Sequence, residues 1–389
     1  MGVIRVGPTR QRVTDQGRHR TWAKARVGDE TRELWFETDA DIPFLETNRG
    51  DLWVAPMMLL AMRRGDRLRL ADPISAGRRP HLKKVQDIYC AWYPTRMARA
   101  KIVAPPPDEP TGSGLLRRRR DASDGRVAAT TFTAGVDSFS SLVKHRKRLG
   151  ALVYGFGLDV PSHEVEATER VAHTLELVAR DAGIPLLTAD TNLRRVIGKE
   201  VSWGFEGHGA VLASLGTVLS PLVSKLFVPS TYSYAVTHPW GSHPLVDPLW
   251  STSRLQIVHE GAADNRVGKL KRIADEPLAQ QHLRVCYKEF SDVNCGRCLK
   301  CMRTMVTLKL LDRLDRFETF HNELDVEHLS SSEARTENDI VQLRDAYEFA
   351  TQVPGHDDIR DALGVLIDRY RQREIAGTAN WMPGDTQEP

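Results

Sequence analysis

From Val127 onward the chain settles into a steady alternation of short apolar runs and longer one-sided ones. Val127 to Phe132 reads as a buried strand that breaks at a small-residue turn, Thr133-Ala134-Gly135. Phe139, Leu142, Val143 and Leu149 then suit one face of a helix. That helix should close on the basic residues Lys144 to Arg148 and on Gly150, where an αL cap is expected. Ala151 to Phe156 is a second strand, ending near Asp159. A helix capped by Ser162 follows, with Val165, Val171, Leu175, Val178, Ala179 and Ala182 on one face and Gly183 at its end. Ile184 to Thr188 is a third strand leading to Asp190, Ala210 to Ser224 an apolar helix, Leu226 to Val228 a fourth strand and Arg254 to Val258 a fifth. Strands separated by helices of this length imply right-handed crossovers. The expected fold is α/β, a parallel five-stranded sheet with helices on both faces, Rossmann-like in kind. Ligands of such sheets sit at the carboxyl ends of the strands, here Thr133 to Ser138, Asp159, Asp190 and Ser230-Thr231.

The flanks read differently. In residues 1–103, Glu33 to Glu37 and Arg67 to Leu70 are strand-like. Trp53 to Met62 is apolar nearly all round, a buried helix with Pro56 early in it. A small N-terminal α+β domain is expected there. Residues 104–124 are a Pro/Gly/Arg-rich linker, and its Arg117 to Arg120 either grip a phosphate-rich partner or form a solvated run. The nucleotide-type domain should span 125–315, a helical C-terminal extension 316–380 (with amphipathic stretches at Asp339 to Ala350 and Asp358 to Arg371) and a tail 381–389. Tyr232 to Trp250 is rich in Pro, His and aromatic residues. It either closes over a planar substrate or packs on the sheet.

Composition narrows this only a little. The chain has 389 residues, 41% of them hydrophobic and 27% charged, which is ordinary for a globular protein. A formal net charge of +3 supplies no field for nucleic-acid binding, so no nucleic-acid partner is expected. No window has the ~18 continuous apolar residues of a membrane helix, and the N-terminus lacks a signal-peptide core. With four of five cysteines crowded between Cys286 and Cys301, a reducing, cytoplasmic setting is expected; a homodimer stays open. Cys90 reads as a core residue.

Cys286-x8-Cys295-x2-Cys298-x2-Cys301 offers four soft ligands, and Cys-x2-Cys turns place thiolates at the separation zinc asks for. Gly296 gives the first turn its freedom at positive φ. Cys301 should stand at a helix N-terminus that favours its thiolate. All four fit one closed, structural Zn2+ site; an iron–sulfur cluster and a redox-active or sulfur-carrying Cys-x2-Cys are the competing chemistries. The loop from Thr133 to Ser138, between a strand and a helix N-terminus, is an anion site suited to the phosphates of a nucleotide.

Phe132-Thr-Ala-Gly-Val-Asp-Ser138 resembles the Ser-Gly-Gly-x-Asp-Ser loop of the ATP pyrophosphatases, the PP-loop enzymes. The later cysteines resemble the zinc motif of one branch, the 7-cyano-7-deazaguanine synthases. The likeness covers roughly residues 125–315. It implies a carboxylate, such as a 7-deazaguanine carboxylate, adenylated by ATP with Mg2+, release of pyrophosphate, and displacement of AMP by ammonia or an amine. That acceptor could be a protein or peptide amine, and the product an amide or nitrile. It assigns Thr133, Ala134, Gly135, Val136, Asp137, Ser138, Asp159, Ser230 and Arg266 to the nucleotide, and Asp137, Ser138 and Lys269 to catalysis. Ser138 would donate its hydroxyl to the leaving pyrophosphate. Asp137 would coordinate Mg2+ or cap the loop's amides. No Walker lysine follows the loop, which speaks against γ-phosphoryl transfer.

Three departures stand out. Thr133 and Ala134 replace the family's Ser and Gly, and Ala134 asks for a backbone without strongly positive φ. Gly207-His208-Gly209 stands where the synthases carry an Arg-Asn pair. Val228-Pro-Ser-Thr231 lacks their Gly and Asp substrate pattern. Two alternatives remain beside the ligase. One is nucleobase thiolation, as in tRNA-modifying relatives, which needs a sulfur-carrying cysteine near the loop. The other is a non-catalytic ATP-binding sensor or scaffold.

Overall fold

A computed structural model describes residues 2–108, 125–161, 163–286, 293–334 and 337–376. Most of the expected linker with Arg117 to Arg120, the Ser162 cap and the tail lie outside the described residues. The strands are β1 Val3–Val6, β2 Arg10–Val13, β3 His19–Val27, β4 Glu30–Thr38, β5 Arg67–Leu70, β6 Ile102–Val103, β7 Val127–Thr131, β8 Ala151–Phe156, β9 Leu186–Thr191, β10 Val223–Pro229 and β11 Gln256–Glu260. The helices are α1 Asp51–Arg64, α2 Arg78–Trp92, α3 Val136–His145, α4 Val165–Ala182, α5 Leu193–Ile197, α6 His208–Val218, α7 Arg266–Ile273, α8 Pro277–His282, α9 Leu299–Leu310, α10 Val326–Ser331, α11 Glu337–Ala350 and α12 Asp357–Ile375.

The fold is α/β, but the sheet is not the expected five-stranded parallel one. Eleven strands form a single mixed sheet, ordered β11-β10-β7-β8-β9-β4-β3-β1-β5-β6, with β2 paired to β3. The five expected strands are one half of it and run parallel to one another. At β9 the N-terminal strands join: β4 lies antiparallel, pairing Phe36 with Thr191 and Glu37 with Asp190. The N-terminal α+β elements therefore build no sheet of their own. An open edge at β9 would leave a row of unpaired N–H and C=O groups, and β4 satisfies it. Periodicity identifies strands; it does not say which edges meet.

This junction moves one expected site residue. The third strand was expected to stop at Thr188; with β4 alongside, it continues to Thr191. Asp190 thus lies inside the ladder, and its carboxylate accepts from Arg18 Nη1 at 2.5 Å. It faces the N-terminal strands, away from the loop.

Apolar cores lie on both faces. On one face a core runs from Ile4 through Trp53 and Met58 to Val211 and Ile257, so N-terminal and parallel halves share it. Within it α1 packs on α6. The stretch from Asp51 to Met62 is buried throughout, which accounts for its apolar character all round. On the other face Phe132, Phe139, Leu142, Leu175, Leu270 and Met305 pack α3, α4, α7 and α9 together. A third cluster joins Met302, Val306 and Leu310 of α9 to Ile340, Leu343, Leu363 and Leu366 of α11 and α12.

Two local expectations change. Gly150 is no αL cap: α3 ends at His145 and a 3-10 turn, Arg146–Arg148, follows. A Cβ at Gly150 would come within 2.6 Å of Val127 Cβ, so close approach to β7 is what requires glycine there. Val165, expected on the buried face of its helix, is 61% exposed at the first turn. Among the described residues no helix is long and apolar enough to cross a membrane.

Candidate functional site

The turn after β7 is built from its own side chains. Ser138 Oγ donates to the Gly135 carbonyl at 2.9 Å and accepts from the Thr133 N–H at 3.3 Å, which closes the loop over the first turn of α3. The hydroxyl expected to face a leaving group is thus engaged within the loop. Ala134 adopts φ 57°, the left-handed region, contrary to the expectation that alanine marks an ordinary backbone here. That conformation costs an L-residue about 1–2 kcal/mol. The Arg284 N–H holds the Ala134 carbonyl at 2.9 Å and offsets part of it. Val136 is buried in the core, so only its backbone faces the turn.

Asp137, in the first turn of α3, neither caps the helix nor stands apart. Its two oxygens accept from Lys269 Nζ at 2.9 Å and Arg266 Nη1 at 2.8 Å. Arg266 and Lys269 sit three residues apart on one face of α7, which packs on α3. The N-cap of α7 is Asn265, whose side chain accepts from the Gly268 N–H at 3.0 Å. Lys269 is 1% exposed and also donates to the Ser230 carbonyl, with Ser230 Oγ 3.2 Å away. Burial alone would raise the Asp137 carboxyl; Lys269 and then Arg266 outweigh it and hold the group below the usual carboxylate range.

More cations surround this pair than the sequence reading assigned. Arg284 Nη2 reaches Asp159 at 2.6 Å and the Thr133 carbonyl at 3.4 Å, which ties the exposed end of β8 to the loop. Arg303 is buried on α9; burial first, and Arg266 next, pull its guanidinium down to about 10. Lys300 lies within electrostatic reach of Asp159, Arg266 and Arg303. The signal for these three was position: Arg284 precedes Cys286 by two residues, and Lys300 and Arg303 flank Cys301. From the C-terminal extension, Asp345 accepts from the Arg266 backbone and the Asn265 side chain.

Cys286, Cys295, Cys298 and Cys301 lie close together, their sulfur atoms all within 4.8 Å of one another, and could bind a metal ion such as zinc. Cys298 and Cys301 Sγ are 3.4 Å apart, and Cys295 and Cys301 Sγ 3.8 Å. Zinc–sulfur bonds in a tetrahedron set sulfurs about 3.8 Å apart, so the donors fit such an ion. Gly296 takes φ 69°, as its turn requires. Cys298 is the N-cap residue of α9 and Cys301 lies in its first turn. Contact with the Cys286 thiol, ahead of burial, pushes the Cys298 thiol up to about 11. Four crowded thiols resist ionising together; a bound cation inverts that preference. Buried Asn294 holds the site in shape, accepting from the Val285 and Cys286 N–H groups at 2.8 and 3.0 Å and donating to the Leu283 carbonyl and Thr319 Oγ1. Cys90 stands apart in α2, partly buried against the N-terminal core, and burial raises its thiol.

The aromatic loop forms a second feature at the ends of β10 and β11. Asp247, 1% exposed, accepts from His259 Nδ1 at 2.7 Å and from Ser242 Oγ at 2.5 Å. Neighbouring strand positions face opposite sides, so His259 meets Asp247 while Glu260 turns to Lys144 at 2.5 Å. A small cleft of about 10 Å3, room for about one water-sized particle, is lined by Tyr232, His238, Trp240, Ser242, His243 and His259. The N-terminal half supports one of these residues: Trp92 packs edge-on against His243 at 4.8 Å. Tyr89 and Tyr93 hydroxyls hold the carbonyls of Glu206 and Phe205 in a π-helical turn, Trp203–Gly207. That turn leads to His208, whose ring lies 5.6 Å from Trp240.

The structure therefore brings Thr133, Ala134, Gly135, Val136, Asp137, Ser138, Ser230, Arg266 and Lys269 together, and connects Asp159 to them through Arg284. Comparison of the chain with family models, curated proteins and solved structures finds no match.

Proposed function

We propose that the chain is an ATP-dependent ligase of the ATP pyrophosphatase type. It would adenylate a carboxylate, of the 7-deazaguanine carboxylate class, release pyrophosphate, and pass the acyl group to ammonia or an amine, a protein or peptide amine included. The observation that carries this reading is the Asp137 carboxylate held between Lys269 and Arg266 at the N-terminus of α3. Two cations converge there on a helix end that is itself partly positive, with Arg284 and Arg303 near by. Asp137 supplies one negative charge against them, and this surplus suits a polyphosphate. In this reading the loop amides from Thr133 to Ser138 receive the leaving pyrophosphate, and Lys269 and Arg266 neutralise its charge. Asp137 is the acid placed to hold Mg2+. The base that follows the loop helix in γ-phosphoryl-transferring P-loops has no counterpart directly after Ser138.

The four cysteines hold zinc as a closed structural site in this reading. Sulfurs this close suit one ion; a multi-iron cluster would spread its ligands further. Thiolation is disfavoured because four thiols are gathered in one group and Cys90 lies in α2. The test is product analysis with ATP, Mg2+, 7-deazaguanine carboxylate and ammonium chloride. AMP and pyrophosphate in equal amounts are expected. ADP and phosphate would refute the ligase, and tight nucleotide binding with no product would replace it by the sensor.

A further inference from the structure

The aromatic cleft at the ends of β10 and β11 is not used by the nucleotide, and its chemistry is of another kind. The Asp247–His259 pair has the geometry of an oriented base. Nδ1 of His259 lies 2.7 Å from the Asp247 carboxylate, an acceptor, so in the neutral imidazole that donates there Nε2 is the atom with the lone pair. Ser242 Oγ and the His243 N–H hold Asp247 from its other sides, so the carboxylate cannot turn away. Around His259 the walls are aromatic: Tyr232 meets His238 at 4.3 Å and Trp240 at 5.6 Å, both edge to face. Burial, then His259, lowers His243 to about 4, so that ring adds no positive charge at neutral pH.

Size and charge together choose the occupant. The cavity holds about 10 Å3, room for about one water-sized particle such as ammonium and far below the ~300–1,000 Å3 of pockets that bury a nucleotide-sized ligand. Aromatic side chains backed by a buried carboxylate favour a small cation. The cleft also adjoins the phosphate loop. Tyr232 follows Ser230 by two residues and lies in the electrostatic field of Asp137 and Arg266.

We propose that this cavity is the site of the nitrogen nucleophile, taken up as ammonium, and that His259, oriented by Asp247, removes one proton from it. The proposal rests on the ligase reading for its reaction. The nitrogen lone pair forms the new C–N bond, and the bond from the acyl carbon to the adenylate oxygen breaks. His259 Nε2 takes the first proton, which frees that lone pair; AMP leaves with the electron pair of the broken bond, and its phosphate takes the second, surplus proton of the nitrogen. Asp247 stabilises the imidazolium that results.

Two measurements test it. With ATP and 7-deazaguanine carboxylate, His259→Gln should lower product formation from ammonium by about 100-fold or more. Hydroxamate formation from hydroxylamine, which is mostly unprotonated at neutral pH, should fall at least tenfold less. Equal losses with both nucleophiles, or no loss with ammonium, overturn the proposal. Separately, ammonium chloride should shift the Trp240 indole N–H resonance saturably, where sodium chloride at equal ionic strength does not. Failure of that shift also overturns it. Ammonium saturation in a protein that makes no AMP would leave the ammonium site standing and reject the ligase reading instead.

Discussion

Asn294→Ala tests how firmly the four-cysteine site grips the loop. Asn294 is 2% exposed and makes four hydrogen bonds, two accepted from Val285 and Cys286 and two donated to Leu283 and Thr319. Truncation does not orphan every partner. The Leu283 carbonyl keeps the Thr319 hydroxyl at 2.8 Å. The Val285 and Cys286 N–H groups lose the acceptor they share, and one buried N–H left unsatisfied costs about 1–3 kcal/mol, so the loss should be at least about 1–3 kcal/mol. Metal affinity should fall about 10–100-fold, since Cys286 is no longer held in register with Cys295. The neighbouring Arg284 N–H carries the Ala134 carbonyl, so ATP affinity should weaken as well. The assay is competition for zinc with a chromophoric chelator, beside urea unfolding of the metal-loaded protein. Asn294→Asp, which keeps the acceptor, should fall between wild type and Asn294→Ala. A stability loss below about 1 kcal/mol with unchanged zinc affinity would refute the reasoning.

Ala134→Gly should stabilise the protein by about 0.5–1 kcal/mol in thermal unfolding, because relief of the left-handed strain exceeds the extra chain entropy of glycine. Lys269→Met should cost about 2–3 kcal/mol, less than a fully broken buried pair, because Asp137 keeps Arg266; adding Asp137→Asn should destabilise further, because it takes that carboxylate from Arg266, and should abolish AMP formation. Asp137 also predicts a pH dependence. Its folded carboxyl lies below the ordinary 3.8, so its contribution is fully present above that value and is lost as pH falls through the folded one. Asp137→Asn should therefore differ most from wild type near neutrality, and urea unfolding curves of the two should converge in acid. Removing the metal with a strong chelator should loosen the segment from Leu283 to Cys286 and raise hydrogen exchange at Arg284 and in the Thr133–Ser138 loop, with far less effect on β1 to β5.

Much of the candidate site was legible because its signals are local. A strand, a small-residue turn and a helix need only a dozen neighbouring residues, and Cys-x2-Cys spacing alone places three of the four sulfurs. Lys269 and Arg266 were legible as a helix face, though not as the partners of Asp137. The sequence could not show that Ala134 would be left-handed, since alanine's own preference runs the other way and only the fold around the loop, with the Arg284 contact, sustains it.

What the sequence by itself determined, then, is the set of elements and the groupings carried by short spacings: the parallel strands, the small-residue turn between strand and helix, and the cysteine group. What the tertiary structure alone decided is which edges and side chains meet across long separations. Nothing in the pattern of β4 names β9 as its neighbour, yet that pairing joins the two halves into one sheet and sets half-buried Asp190 against Arg18. Nor could spacing reveal Asp247 against His259, Trp92 against His243, or Arg284 bridging Asp159 and the loop. Such contacts depend on how twisted, half-buried elements pack, and packing is a property of the whole chain.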